Sequence, residues 1–194
     1  MNPLRTDRLL LRDFVEADWP ALHAVESLPE VARYQDFAPR TEDESRAYVL
    51  GSIDGAREEP RLVYDLAVVV ADGDEVIGRC GLAVTALDSG EAVVWYTLHP
   101  NCWGQGYTTE AVRAILDFGF RELRLHRIWA DCDPRNIGSW RVLEKVGMRR
   151  EGHLLENAKV KGEWVDSLIY AVLAHEQGRR AASSSSPTTL VADA

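Results

Sequence analysis

The chain is short of cysteine, has no long apolar run and carries fewer bases than acids, and each shortage removes a class of protein. Only Cys80, Cys102 and Cys132 occur, odd in number and with no CxxC pair. That excludes a disulfide framework and a zinc site, and the three read as small packing residues. His23, His126, His153 and His175 share no metal-ligand spacing, so no metal is expected. No run of about 18 apolar residues exists to span a membrane, and MNPLRTDRLLLRDF places charges inside the apolar stretch that a signal peptide keeps clean. The expected location is cytoplasmic, with no membrane partner. Lys and Arg number 22 against 31 Asp and Glu, a net charge of −9. That balance argues against a nucleic-acid partner and leans toward cationic ones.

What is present fills one domain. The 194 residues are 46% hydrophobic, enough for a sizeable core but short of two domains. RLLLRDF (8–14) reads as an opening strand. DWPALHAVESL (18–28) is helical, with Trp19, Leu22, Val25 and Leu28 at threefold spacing. TEDESRAYVLGSIDGAREE (41–59) opens on Thr41 with Glu44 three residues on, a capping box that starts a second helix. The period then changes. LVYDLAVVV (62–70), EVIGRCGLAVTA (75–86) and EAVVWYTLHP (91–100), separated by ADGD and LDSG, predict a three-stranded antiparallel meander. A helix over 107–123 leads to a strand, HRIWADC (126–132), and this order predicts a right-handed crossover with parallel pairing. NIGSWRVLEKVGM (136–148) is a further helix, with Asn136 as N-cap, Gly147 as left-handed C-cap and Met148 packing back. Strands over 149–158 and 163–173, turning near Lys161 and Gly162, complete a domain over 1–178. The polar tail, 179–194, is too rich in Ser and Pro to order alone.

NCWGQGYTTEA (101–111) stands between a strand and a helix. Gly104 and Gly106 permit positive φ there, and the helix start adds unpaired amides and the positive dipole end, together an anion site. It is not a P-loop, which needs Gly-Lys-Ser/Thr, nor a dinucleotide fingerprint, which needs a third small residue where Thr109 stands. A kinase or dehydrogenase is therefore disfavoured. NCWGQG does have the Q/R-x-x-G-x-G/A spacing of the pyrophosphate loop of the GNAT superfamily of acyl-CoA-dependent N-acetyltransferases, with Asn101 in the first place. The fuller resemblance is to its RimJ/RimL-like group of ribosomal-protein N-terminal acetyltransferases. It runs from TDRLLLRDF (6–14) through WYTLHPNCWGQGYTTEA (95–111) and NIGSWRVLEKVGMRREG (136–152) to WVDSLIYAVL (164–173).

The resemblance implies an α/β fold, α+β by segregation: a single GNAT-like domain with a mixed, mostly antiparallel sheet splayed between two parallel strands and helices on both faces. Pantetheine would enter between the strands at 91–98 and 126–132. Phosphates would rest on the amides of Trp103, Gly104, Gln105, Gly106, Tyr107 and Thr108, with Trp103 also serving as a packing lid. The donor is acetyl-CoA, and the acceptor a primary amine, either a protein N-terminus or a small molecule. An α-amino group has a pKa of about 8 and a lysine about 10.4, so a base helps in either case. By position the amide of Leu98 contacts the acetyl carbonyl and Asn136 the pantetheine arm. Ser139, one helical turn on, protonates the departing sulfur, because the tyrosine of many relatives is Leu143 here. For the base, Glu91 acting through water is the first candidate, with Glu163 and Asp166 as alternatives; His99 reads as a strand-end residue. Direct attack in a ternary complex is preferred to an acetyl-cysteine on Cys102. Leu143 also leaves open a non-catalytic acyl-CoA sensor, and the exposed edge of an open sheet allows a homodimer.

Overall fold

The computed structural model describes residues 1–71 and 73–177; the expected tail lies outside them. Eight strands form one sheet in the order β1-β2-β3-β4-β5-β6-β8-β7. They are β1 (Leu4–Arg5), β2 (Leu9–Asp13), β3 (Val63–Val70), β4 (Val76–Ala86), β5 (Glu91–Leu98), β6 (Arg127–Cys132), β7 (Arg149–Val160) and β8 (Glu163–Leu173). The meander β3-β4-β5 is antiparallel as expected. The crossover helix α4 (Tyr107–Arg121) returns the chain to a parallel β5–β6 pair. The short β1, unforeseen, pairs antiparallel with β2.

Period-two alternation divides the core into two layers. Leu66 and Val68 of β3 pack with Ala111, Val112, Ile115 and Leu116 of α4 and with Leu143 and Val146 of α5 (Ile137–Val146). Ala67 and Val69 point the other way, onto Leu22 of α1 (Trp19–Glu26) and Val49 of α3 (Glu42–Gly55). The sheet is therefore covered on both sides, which is why β3 reads as an unbroken apolar run apart from Asp65. The local signals hold at their places. Thr41 Oγ1 accepts from Glu44 N–H and the Glu44 carboxylate accepts from Thr41 N–H at 2.8 Å, closing the capping box. Gly147 ends α5 at φ 97° and Met148 is buried behind it. The second helix stops at Gly55, short of the expected 59, and a separate turn of helix, α2 (Pro29–Ala32), follows α1 where none was foreseen.

One buried charge network joins the α1/α3 layer to the sheet. The Glu26 carboxylate, fully buried, accepts from Arg79 Nε at 2.6 Å and from Arg40 Nε at 2.7 Å. On β3, Asp65 accepts from Tyr48 at 2.7 Å, Ser52 at 2.9 Å and Trp95 Nε1 at 3.3 Å. Trp95 lies flat over its cross-strand partner Gly81, where a Cβ would come within 2.2 Å of the ring. Taking one member from a buried pair strands the other, at a cost of about 3–5 kcal/mol. Glu26→Ala should lose about that much in urea unfolding, whereas a substitution at the exposed pair Arg57–Asp54 should be close to neutral.

Candidate active site

The parallel pair supplies the site by parting. β5 and β6 are in register at only three positions, Glu91↔Arg127, Ala92↔Ile128 and Val93↔Trp129, yet β5 runs on to Leu98 and β6 to Cys132. The backbone direction along β5 follows from its other edge. His99 N–H donates to Ile77 O at 2.8 Å, which makes the odd-numbered residues those that bond to β4. Val94, Tyr96 and Leu98 therefore turn their amides toward β6, into the opening. A cavity of about 700 Å³ occupies it, walled by β5 from Val93 to Tyr96, by β6 from Ala130 to Cys132, and by Asn136 and Ser139. The same cavity continues to the opposite face of the sheet, where the 33–36 segment and the β7–β8 hairpin close it.

Beyond β5 the chain makes a tight turn over Pro100–Cys102, in which His99 Nδ1 accepts from Asn101 N–H. His99 is thus a turn cap. Trp103 is half exposed and donates its indole N–H to Leu98 O at 2.8 Å, lying across the strand end as a lid. Gly104 and Gly106 adopt φ 74° and 85°, and Gly106 is the left-handed N-cap of α4. Among the described residues nothing accepts from the amides of Gly104, Gln105, Gly106, Tyr107 or Thr108. Such a nest at a helix N-terminus fits a pyrophosphate. Arg8, which the sequence reading missed, reinforces it: its guanidinium donates to Gln105 O at 3.0 Å, pairs with Glu110 at 2.6 Å and lies 4.4 Å from the Tyr107 ring centre.

On the α5 side, Asn136 is the N-cap, its carbonyl oxygen accepting from Ser139 N–H at 3.2 Å, while the residue also walls the cavity. The Ser139 hydroxyl shares a hydrogen bond with the Tyr96 phenol at 2.9 Å, and that phenol also reaches Ser139 O at 3.0 Å. Burial pushes the Tyr96 phenol above its ordinary pKa, so it stays protonated. Tyr96 was not singled out from sequence, although its even position on β5 places it on the α5 side. Leu143, the position that the family resemblance matched to a tyrosine, is fully buried in the core. The cysteine in the cavity is Cys132 rather than Cys102; burial pushes its thiol up to about 12. Glu91 sits at the closed end of the strand pair, accepts from Arg127 Nε at 3.1 Å and takes no part in the cavity wall. Glu163 and Asp166 do line it, the latter bonded to His153 at 2.8 Å.

The hairpin turn fastens the far wall. Lys161 and Gly162 both have positive φ, 49° and 90°, the two-residue turn that matches strand twist. From that tip Lys161 Nζ donates to the carbonyls of Ala32 at 2.6 Å, Arg33 at 3.3 Å and Phe37 at 3.4 Å. All three donors of the ammonium are spent on a segment more than a hundred residues away.

A parted parallel pair, inward-facing amides, an anion nest at the start of the next helix and a hydroxyl pair at the junction define an acyl-CoA-dependent transferase. The chain belongs to the GNAT acetyltransferase family, whose acetyltransferase (GNAT) domain model matches residues 8–149. It is 36% identical over 174 residues to an uncharacterized N-acetyltransferase, YnaD, of Bacillus subtilis, covering 89% of this chain and 98% of that one. The crystal structure of a GNAT-family acetyltransferase from Bacillus anthracis superposes with a TM-score of 0.80 at 31% identity, covering 90% and 100% of the two chains. The ribosomal protein uS5-alanine N-acetyltransferase of Escherichia coli is 26% identical over 176 residues, 87% of this chain and 89% of that one. The chain is thus an N-acetyltransferase with acetyl-CoA as donor.

Two substitutions test the walls. Gly106→Val adds a Cβ at positive φ, 3.3 Å from the Arg8 guanidinium; calorimetry should show acetyl-CoA binding lost, with a thermal transition that stays cooperative but falls by the strain of a β-branched residue at that φ. Lys161→Met should raise the acceptor KM about tenfold, a loss of about 1.4 kcal/mol, and leave acetyl-CoA affinity as it was.

Proposed function

We propose that the chain acetylates a cationic primary amine by direct attack within a ternary complex, with Ser139 at the sulfur and the backbone of β5 at the acetyl carbonyl. The observation that carries this is the Ser139–Tyr96 hydroxyl pair on the cavity wall. Acetyl-CoA brings an activated thioester, and the residues present fit it: the unpaired amides of 104–108 for its phosphates, Asn136 and the even amides of β5 for its arm. A preset amide such as that of Leu98 needs no reorganisation to receive the charge that gathers on the carbonyl oxygen. Ser139, held by Tyr96, then offers a hydroxyl to the departing sulfur.

Two of the weighed alternatives lose their support. An acetyl-cysteine on Cys102 needs a thiolate beside the thioester, but Cys102 does not line the cavity and burial pushes its thiol up, and Cys132, the cysteine in the cavity, is likewise held as a neutral thiol by burial. The sensor reading leaned on Leu143 as a lost phenol, and Tyr96 brings a phenol to the same helix turn from the neighbouring strand. The name of the E. coli relative specifies the alanine of a ribosomal protein, so a protein N-terminus stands beside a small amine as acceptor. We further infer a cytoplasmic enzyme, since no helix among the described residues is long and apolar enough to cross a membrane. A second copy would pair along β7, the outermost strand, which exposes Leu154 and Leu155.

Titration calorimetry with acetyl-CoA, beside CoA, ATP and NAD, followed by thiol release with an alanine-initiated hexapeptide and with 1,4-diaminobutane, tests the reading. Saturable binding of acetyl-CoA and CoA alone is expected. Ser139→Ala should lower kcat about 100-fold while retaining that binding. Uptake of ATP or NAD in their place would falsify the assignment.

A further inference from the structure

The ion pairs around the cavity leave some of its carboxylates without a partner, two of them near the point where the strands part. Arg79 and Arg40 are both committed to Glu26. Arg135 donates from Nε to Asp133 at 2.9 Å, and Lys161 is saturated by backbone carbonyls. Arg33 and Lys161 are the lining cations with no ion pair among the described residues, and Arg33 lies 5.2 Å from the Tyr34 ring centre. Among the anions, Asp133 belongs to Arg135, and Asp166 accepts from His153 and from Glu156 N–H at 2.8 Å. Asp36, Asp131 and Glu163 are left with no ion pair or hydrogen-bonding side chain among the described residues. Glu163 sits beside the hairpin tip; Asp36 and Asp131 line the same cavity, and the Asp36 charge acts on Asp131.

Strand alternation then assigns a direction. Ala130 and Cys132 of β6 share the layer of α4 and α5, the side of Ser139. Asp131 lies between them and so projects to the other side, two residues past Trp129, the last residue of β6 that β5 pairs. We propose that Asp131, assisted by Asp36 from the opposite wall, binds the ammonium of the acceptor and takes its proton before attack. This rests on the acetyltransferase reading of the cavity and deepens it.

An acceptor with a pKa of about 8 to 10 arrives charged. Two carboxylates hold it; of the cations that face the same space, Arg40 from the approach to α3 and Arg79 from β4 are paired with Glu26, Arg135 from the β6–α5 turn is paired with Asp133, Lys161 from the hairpin is turned onto backbone carbonyls, and Arg33, with no ion pair among the described residues, lies against the Tyr34 ring. An ordinary carboxylate is a weak acceptor for an ammonium proton. Asp131 is open to solvent through the cavity but flanked by protein elsewhere, and that burial, opposed by a hydrogen bond from its own backbone and aided by the Asp36 charge, raises its pKa. The gap to the amine narrows accordingly. The nitrogen sheds two protons in all. Asp131 takes the first and passes it to solvent; as the C–N bond forms and the C–S bond breaks, the second ends on the sulfur. Lys161, by gripping the carbonyls on either side of Tyr34–Asp36, is the positioning residue that keeps Asp36 opposite Asp131.

The test uses the full chain, acetyl-CoA, and 1,4-diaminobutane and an alanine-initiated hexapeptide as acceptors. Asp131→Asn should bind acetyl-CoA as the wild type does, lose about 100-fold in kcat/KM for the amine and lose the acidic limb of the pH profile. Asp131→Glu should recover part of the rate. Asp36→Asn removes a like charge, so Asp131 titrates lower; the acidic limb should move to lower pH and KM should rise about tenfold. An Asp131→Asn enzyme with wild-type kcat/KM and profile overturns the proposal, as does a wild type that binds acetyl-CoA and acetylates neither amine. A wild type that binds no acetyl-CoA sinks the acetyltransferase reading itself.

Discussion

Everything at the site depends on two strands that stop pairing after three residues. A parallel pair left open exposes backbone donors and acceptors that folding would otherwise satisfy. The opening persists because each strand is held from behind. β5 is paired with β4 along its whole length, from Glu91 to Leu98, and β6 with β8 from Arg127 to Cys132. Closing the gap would break those ladders or crush Tyr96 into Ser139, which already touch across it on the α5 side. The unpaired edge is thus stable without a partner strand, and on the proposed reading an extended ligand arm with its own amides would complete it.

The acceptor wall is held by charge where the donor wall is held by backbone. Glu26, with no exposure, is tolerable only because two guanidiniums meet it. Arg40 is drawn to Glu26 and lies 4.5 Å from the ring centres of both Phe37 and Tyr48, so the segment after α2 is tied to α1, α3 and β4 at one point. Lys161 ties the same segment to the β7–β8 hairpin. Burying these ions costs solvation that hydrophobic residues of the same size would not, so the network is poorly explained as stabilisation. It does explain why a stretch with little secondary structure of its own keeps a fixed shape beside the cavity.

The sequence was legible where cause and effect lie within a few residues. Thr41 with Glu44, Asn136 with Ser139 N–H, Gly147 with Met148, and the glycines of 104–106 all act on neighbouring backbone, and the pattern of each can be seen in the letters. What could not be read is what distant segments bring to one another. Arg8 on Glu110, Lys161 on Ala32 and Arg79 on Glu26 each span fifty residues or more, and no spacing announces them. Tyr96 is an intermediate case. Its face follows from the alternation of β5, but that it meets Ser139 follows only from how α5 sits on the sheet. Glu91 illustrates the opposite error of attention: it begins the right strand, yet at the end where the pair is still closed and Arg127 occupies it.

The alternation that separates the two core layers also separates the two halves of the proposed chemistry. On β5 and β6 the even residues, Tyr96 and Cys132 among them, face the α4/α5 layer, while the odd ones, Trp95 and Asp131, face the α1/α3 layer. A proton acceptor and a proton donor placed side by side would hydrogen-bond to each other and lose their separate functions. In the proposed arrangement Asp131 projects from β6 to one side of the sheet while Ser139, on α5, meets Tyr96 on the other, and the gap between the strands connects the two sides. On that proposal the amine would arrive from one face and the sulfur leave toward the other, so that the divergence of β5 from β6 that admits the donor would also order the approach.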